Sequence, residues 1–438
     1  MASRTGLPGR NGQFDWVQTT HARVAAVIEV VGVGASGLES LGPDERRLVD
    51  EAGVVVGGER HLAMLEPTEG RRLVPWPSPL LPGLRSLLDD VLDGRDAAGG
   101  RVVVLASGDP LVSGIGATLV RELGPDRVRL HPAVSSVALA RTRMGWSAEE
   151  SDVVTLVGRD VDRLRRDLAP RARLVVLTSG EDGPSRIAAL LVEEGYAGSR
   201  LTVLGDLGSV AESRTDGVAA SWDGRPTPRL HLVCVECDAQ PRPGARSLVP
   251  GLPETAYEHD GQLTKRLVRA AALAHLSPQP GDVMWDLGAG AGSVGIVFAR
   301  QHPRNEVHAV ERHPERAARV RRNARALGVP GLRVVEASSE DAVAALPRPD
   351  AVFVGGGATA ALLDRCWAAL APGGRLVVHG VTVETELLLH EARRRLGGSM
   401  SRIAVEDLDE IGSLHGWRPA RAIVQWSVEK PVHEEGDA

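Results

Sequence analysis

The sequence predicts two α/β domains in tandem, and three observations carry that prediction. Short apolar runs alternate with helix-patterned segments over most of the 438 residues. Two glycine-rich strand-to-helix stretches, Gly32-Val-Gly-Ala-Ser-Gly37 and Asp286-Leu-Gly-Ala-Gly-Ala-Gly292, lie far apart in the chain. Between them, Ala239 to Pro250 holds three prolines and no apolar period, the composition of a linker. The expected division is a disordered tail over 1–23, a first domain over 24–238, a linker over 239–250, a second domain over 251–430 and a tail over 431–438.

Bulk composition narrows the classes. Hydrophobic residues make up 43%, enough for real cores, and the net charge of −6 gives no electrostatic reason for a nucleic-acid partner. The only lysines are Lys265 and Lys430; every other cation is arginine, which suits carboxylate-rich ligands by bidentate pairing. Cys234 and Cys237 form a lone C-x-x-C that no second pair completes into a zinc site, so they read as core thiols and no metal is expected. Few cysteines, no secretory signal and no apolar run of about 18 residues place the expected protein in the cytoplasm and off the membrane.

In the first domain a strand runs from Val24 into the glycines Gly32 and Gly34. A helix over Pro43–Ala52 and a strand over Val54–Val56 follow, and that strand ends in Gly57-Gly58 with no acid at its tip. A helix around Leu84–Leu92 leads to a strand over Val102–Ala106 and then to Ser107-Gly-Asp-Pro-Leu-Val-Ser-Gly114. His131 to Ala140 reads as a small-residue loop entering a helix. Further strands are expected at Val153–Val157, Leu174–Thr178, Leu201–Leu204 and Leu230–Val235, with helices near Asp160–Leu168 and Pro184–Glu194.

In the second domain a polar segment, Gly251 to Lys265, precedes a helix expected over Leu263–Leu276. The strand Val283–Leu287 then opens the glycine loop. Gly290-Ala-Gly-Ser-Val-Gly295 satisfies the dinucleotide pattern, which is weak alone. Asp286, two residues before the first glycine, would repel a pyrophosphate and suits a ligand carrying an ammonium and a sulfonium centre. Glu311 ends the next apolar run, where an acid can hold ribose hydroxyls. Strands at Leu332–Glu336, Asp350–Val354, Arg375–His379, Ile403–Val405 and Ala422–Ser427 alternate with helices at about Pro314–Leu327, Ala358–Leu370 and Val383–Leu396. That is a doubly wound sheet with two closing strands.

Asp286-Leu-Gly-Ala-Gly-Ala-Gly292 with Glu311 resembles the first motif of the Rossmann-like (class I) S-adenosylmethionine-dependent methyltransferases. Val31-Gly-Val-Gly-Ala, Ala106-Ser-Gly-Asp-Pro and Pro132-Ala-Val-Ser-Ser resemble the tetrapyrrole (corrin and porphyrin) methylases, whose fold is two α/β subdomains. With Asp260-Gly-Gln-Leu-Thr-Lys265 and Val354-Gly-Gly-Gly added, the chain resembles fusions of such a methylase with a decarboxylating precorrin methyltransferase. The resemblance implies one S-adenosylmethionine site per domain, held by Ala35, Ser107, Gly108, Asp109, Val112, Ser135 and Ser136 in the first. In the second it implies Thr264, Asp286, Gly288, Ala289, Gly290, Ala291, Gly292, Glu311, Ala337 and Ser338. Glu336-Ala-Ser-Ser-Glu340 departs from the Gly-Asp pair common at the adenine position. Gly32, Gly34, Gly355, Gly356 and Gly357 would face the substrate. Tyr257, His259 and His379 are the candidate proton or carboxylate partners, with a structural role the favoured alternative for each. For Thr264 an N-cap role is the structural alternative.

What the resemblance implies chemically is methylation of precorrin-6B at carbons 5 and 15 with loss of carbon dioxide from the ring C acetate, giving precorrin-8x in cobalamin biosynthesis, by a homo-oligomer. A fusion acting on another tetrapyrrole or small molecule is the alternative. A nicotinamide oxidoreductase is disfavoured by Asp286 and by the acid-free Gly57-Gly58 tip, and a non-catalytic corrin scaffold by cofactor motifs in both halves.

Overall fold

A computed structural model describes residues 27–92, 101–238 and 247–432. The expected terminal tails over 1–23 and, from 433, 431–438, together with 239–246 of the linker, lie outside the described residues. The chain forms two compact units that part at Ser135/Ser136.

The first unit is a parallel five-stranded sheet. Its strands are β1 (Ile28–Val33), β2 (Ala52–Gly57), β3 (Arg72–Pro75), β4 (Arg101–Ser107) and β5 (Val128–His131), in the order β3-β2-β4-β1-β5. The helices α1 (Pro43–Asp50), α2 (Glu59–Leu62), α3 (Leu80–Leu92) and α4 (Ile115–Leu123) connect them. The strand period of two splits β1 between faces: Ile28 and Val30 enter one core with Leu84 and Leu119, while Val31 and Val33 enter another with Val49 and Leu65. The short strands β3 and β5 had no sequence counterpart.

The second unit starts with α5 (Ser136–Met144) and holds three sheets. The first comprises β6 (Asp152–Thr155), β7 (Arg173–Leu177), β8 (Arg200–Gly205), β9 (Ser213–Val218) and β10 (His231–Glu236), ordered β6-β7-β10-β8-β9 around α6 (Gly183–Glu193). The helix expected near Asp160–Leu168 is a 3-10 turn over Val161–Arg166, capped by the Asp160 carboxylate. Cys234 and Cys237 are buried free thiols, and burial pushes both up to about 12.

The seven-stranded sheet that follows carries the candidate site. Its elements in chain order are α7 (Arg266–Leu276), β11 (Val283–Leu287), α8 (Ser293–Gln301), β12 (Glu306–Val310), α9 (Pro314–Ala326), β13 (Arg333–Val335), α10 (Ser339–Ala342), β14 (Ala351–Val354), α11 (Ala360–Ala369), β15 (Arg375–Gly380), α12 (Val383–Leu396), β16 (Ser399–Ile403), β17 (Glu406–Ile411), β18 (Leu414–Pro419) and β19 (Ile423–Glu429). The order is β13-β12-β11-β14-β15-β19-β16, with the first five strands parallel and β19 antiparallel to both neighbours. Met284 faces one core with Phe298 and Leu273, and Trp285 and Leu287 face the other with Trp426 and Leu363. The closing strands are β16 and β19; β17 and β18 form a separate exposed hairpin, absent from the sequence expectation because its apolar residues show no buried face.

The 3-10 turn of the first sheet's layer meets the seven-stranded layer at α9. Arg325 pairs with Asp160 and Asp162, and Arg166 donates to the Arg300 carbonyl at 2.9 Å. Among the described residues, no helix is long and apolar enough to cross a membrane.

Candidate active site

In a parallel sheet of this order the ligand crevice opens where the winding reverses, between β11 and β14. A cavity of about 1280 Å³ opens there. Gly288 follows β11 and Gly356 follows β14, and their loops touch. Gly288 sits at φ 70°, and a Cβ there would come 2.9 Å from the Gly356 carbonyl oxygen, so no side chain can stand between the loops. Gly355 N donates to the Leu287 carbonyl at 2.9 Å, tying the two strand ends together.

Glu311, just past β12, is buried and holds the loop from below. One carboxylate oxygen accepts from Gly290 N at 2.9 Å and the other from His313 N at 3.0 Å. It lines the cavity together with Gly288, Ala289 and Gly290. Asp286 lies one layer deeper. Strand alternation turns it toward α8, where Oδ2 accepts from Gly295 N at 2.9 Å while Oδ1 is buried with no partner. Burial, opposed by the Gly295 hydrogen bond and reinforced by the charge of Glu311, raises its carboxyl to about 7. Asp286, Ala291 and Gly292 do not line the cavity; Ala291 and Gly292 form the turn into α8.

A strap over residues 252–265 lies beside this loop. The Asn323 amide, buried on α9, accepts from Glu258 N and donates to the carbonyls of Glu258 and Ala291, each at 2.9 Å. It thus joins the strap to the glycine loop. Arg322 grips the Glu258 carboxylate bidentately, and Arg316 and Arg319 hold Asp260, whose carboxyl stays well below the usual range chiefly through the Arg316 hydrogen bond. No motif pointed to Asn323; the available signal was an amide at helical spacing from Val320 on the apolar face of α9.

The helix expected from Leu263 begins at Arg266, with Lys265 as its N-cap. Thr264 therefore does not cap it: the Thr264 carbonyl accepts from Arg269 at 3.0 Å and the residue lines the cavity. Ala337 and Ser338 line it too, but the Ser338 hydroxyl is spent capping α10 through Asp341. Gly355, Gly356 and Gly357 line the opposite wall.

The three candidate chemical residues are not brought together. His379 lines the cavity, stacks edge-on against Phe353 at 4.9 Å and hydrogen-bonds Gln425 at 2.9 Å. Burial lowers its pKa, so the ring is neutral at pH 7. Tyr257 packs in the core beneath the Arg269 guanidinium, 4.8 Å away, and burial raises its phenol to about 12. His259 is exposed and accepts from Gly261 N at 3.1 Å. Neither lines the cavity, because the strap turns them to the core and to solvent.

In the first unit, three loops meet at the carboxyl ends of β1, β4 and β5. A Cβ on Gly32 would overlap the Gly108 carbonyl oxygen and lie 2.7 Å from Ala133 N, so the loops approach backbone to backbone. Gly34 N donates to Ser40 Oγ at 2.8 Å. Ala35, Ser107, Gly108, Asp109 and Val112 lie on the first two of these loops, with Asp109 folding its own turn by accepting from Leu111 N at 2.8 Å. His61 contacts Ser107 Oγ at 3.3 Å and, by burial, has its pKa lowered to about 4. Ser135 ends this unit and Ser136 opens α5 of the next. Among the described residues no cluster could hold a metal ion.

A glycine loop pinned by a strand-tip acid, in a crevice of this sheet order, defines a Rossmann-like site for a nucleoside-bearing cofactor. The model for the precorrin methyltransferase domain matches residues 255–430, and that for the tetrapyrrole (corrin/porphyrin) methylases matches 27–221. The family matches make the class that of S-adenosylmethionine-dependent methyltransferases. A precorrin-6Y C(5,15)-methyltransferase [decarboxylating] of Sinorhizobium sp is 41% identical over 407 residues, 93% of this chain and 97% of that one. The chain belongs to the precorrin-6Y C(5,15)-methyltransferase (decarboxylating) family. Two shorter relatives from Salmonella typhimurium each cover about two-fifths of it. A cobalt-precorrin-7 C(5)-methyltransferase is 33% identical over 41% of this chain and 84% of its own. A cobalt-precorrin-6B C(15)-methyltransferase (decarboxylating) is 30% identical over 40% of this chain and 93% of its own.

Proposed function

We propose that the chain methylates precorrin-6B at carbons 5 and 15 and removes carbon dioxide from the ring C acetate, giving precorrin-8x in cobalamin biosynthesis. The observation that carries this reading is the likeness to a bifunctional relative over 93% of the chain. The shorter relatives, whose names divide the C(5) and the decarboxylating C(15) reactions, support giving one reaction to each domain, carbon 5 to the first. We take the domains as 24–238 and 251–430, with one S-adenosylmethionine site in each. A cytoplasmic homo-oligomer completes the reading, supported by the buried free thiols and by Leu408, Ile411, Leu414 and Trp417 exposed on the hairpin.

The second domain's residues fit that methyl donor. Bound S-adenosylmethionine supplies a methyl group on a sulfonium leaving group. Glu311 offers remaining lone pairs to ribose hydroxyls, and the unpartnered Oδ1 of Asp286 places negative charge beneath the loop, favouring a cationic ligand. Thr264, Gly288, Ala289, Gly290, Ala337 and Ser338 form the remaining wall. In the first domain, Ala35, Ser107, Gly108, Asp109, Val112, Ser135 and Ser136 would bind the second cofactor, and Gly32 and Gly34 would let the ring approach.

The chemistry asks mainly for placement. The nucleophile is an electron-rich ring carbon, so no strong base is required, and holding it in line supplies most of the effect. For decarboxylation the C–C bond to the carboxylate breaks, carbon dioxide leaves and the electron pair enters the conjugated ring; a proton then reaches the exposed carbon. A carboxylate beside neutral His379 and Phe353 lacks a stabilising cation, which favours its loss. Gly355, Gly356 and Gly357 let the ring come close to the methyl donor.

The test is incubation of the whole chain with precorrin-6B and methyl-labelled S-adenosylmethionine. Two labelled methyls and one released carbon dioxide per ring are expected. Methyl transfer to a different macrocycle in preference to precorrin-6B would overturn the substrate assignment.

A further inference from the structure

Several arginines in and beside the second-domain cavity are committed to carboxylates. Arg316 and Arg319 hold Asp260, and Arg322 holds Glu258. Four cations on the cavity lining break that pattern: Lys265, Arg266, Arg312 and Arg421 are exposed, and none forms an ion pair with an acid among the described residues; Arg312 lies beside the glycine loop and donates to the His313 ring at 3.3 Å. Lys265 and Arg266 start α7, where the helix dipole adds to their charge; Arg421 immediately precedes β19. The acids on the same lining form no ion pair with them, and Glu254 feels the Lys265 charge. Glu311 is bound to loop amides, Glu340 accepts from Thr359, Glu254 takes the Arg266 backbone N–H, and Asp407 pairs with none of the four.

We infer that Lys265, Arg266 and Arg421 form a carboxylate-binding rim for the acid side chains that the tetrapyrrole keeps. The inference rests on the tetrapyrrole reading above and deepens it. A cation on the departing carboxylate would stabilise the ground state and oppose its loss, whereas a cation on a spectator carboxylate only anchors the ring. The rim cations and the neutral His379–Phe353 wall belong to one cavity, so the same ring can meet both environments. The other carboxylate source is the amino-acid end of the methyl donor, and the experiment separates the two.

The experiment uses the full chain with Lys265→Gln, Arg266→Gln, Arg421→Gln and the conservative Arg421→Lys. Each glutamine variant is expected to raise KM for precorrin-6B about tenfold, as loss of a charge-assisted hydrogen bond does. The Kd for S-adenosylmethionine should move less than about twofold, and Arg421→Lys should recover part of the loss. Unchanged KM in all three variants would overturn the rim, as would a weakened cofactor Kd at unchanged KM. A turnover-independent arm compares uroporphyrin, a stable polycarboxylate ring, with its methyl ester. The intact chain should prefer the acid and the glutamine variants should lose that preference; an equal preference in intact and variant chains counts against the rim. If wild type binds the acid selectively but leaves precorrin-6B unmodified, the rim stands and the substrate reading falls.

Discussion

The two glycine loops solve one problem in different ways. In the first unit Gly32 is wedged against Gly108 and Ala133, backbone to backbone, and the next strand in the chain ends in Gly57-Gly58 with no acid at its tip. In the second, the loop opens onto a cavity, and Glu311, Asp286 and Asn323 fix it through side chains. A glycine pattern alone therefore specifies only close approach. The polar groups behind it decide how the ligand is read: Asp286 comes from the motif's own strand, and Glu311 and Asn323 from the strand and helix that follow.

The largest expected effect tests the first loop. Gly32→Val must displace Gly108 or Ala133, so the cofactor stoichiometry by calorimetry should fall from two sites to one, with the second domain's binding unchanged. Two sites of unaltered affinity would show that the close approach is not needed for binding. A smaller effect is expected at Asn323. Asn323→Ala strips the strap and the loop of three hydrogen bonds and leaves buried polar groups unmatched, at a cost of about 1–3 kcal/mol. A lower Tm with at least a fivefold weaker second-site Kd is expected; a change in Tm alone would reduce Asn323 to a structural role.

The comparison sharpens with pH. The folded-state carboxyl of Asp286 sits at about 7, above its unfolded value, so its contribution to stability is full below the unfolded pKa and is lost as pH rises through about 7. Asp286→Asn removes that loss. Denaturant midpoints should show the variant gaining on wild type between pH 5 and pH 8, and parallel curves would contradict the buried charge. Binding a cationic methyl donor should lower the same pKa and release a fraction of a proton near pH 7. The smallest effect is predicted for Arg325→Ala, which breaks exposed pairs with Asp160 and Asp162 between the two sheet layers. Its unfolding midpoint should match wild type, because such pairs are screened by solvent.

Much of the second domain was legible because its strands are apolar runs between turn signals and its helices carry long periods; α9 and α12 fall within a residue of expectation. What escaped lacks a one-sided pattern. The strand β9 reads Ser-Arg-Thr-Asp-Gly-Val and is largely exposed, and the β17–β18 hairpin alternates acids with exposed Leu408 and Ile411. At the site, Gly288 and Glu311 announce themselves by spacing along the chain. Asn323 cannot, since its role depends on Glu258 and Ala291 arriving from distant segments. Tyr257 and His259 could not be sorted from His379 for the same reason: a polar strap near a loop does not say which residues face the cavity.

The central claim, two separate methylation sites with decarboxylation confined to the second, is tested most directly by the products of Gly32→Val and Gly288→Val chains given precorrin-6B and S-adenosylmethionine. A Cβ at Gly288 meets the Gly356 carbonyl, so that variant should release no carbon dioxide and transfer no methyl to carbon 15. Gly32→Val should yield a ring with one added methyl, at carbon 15, and one carbon dioxide lost. Loss of carbon dioxide from the Gly288→Val chain, or loss of both methylations from the Gly32→Val chain, would contradict the account.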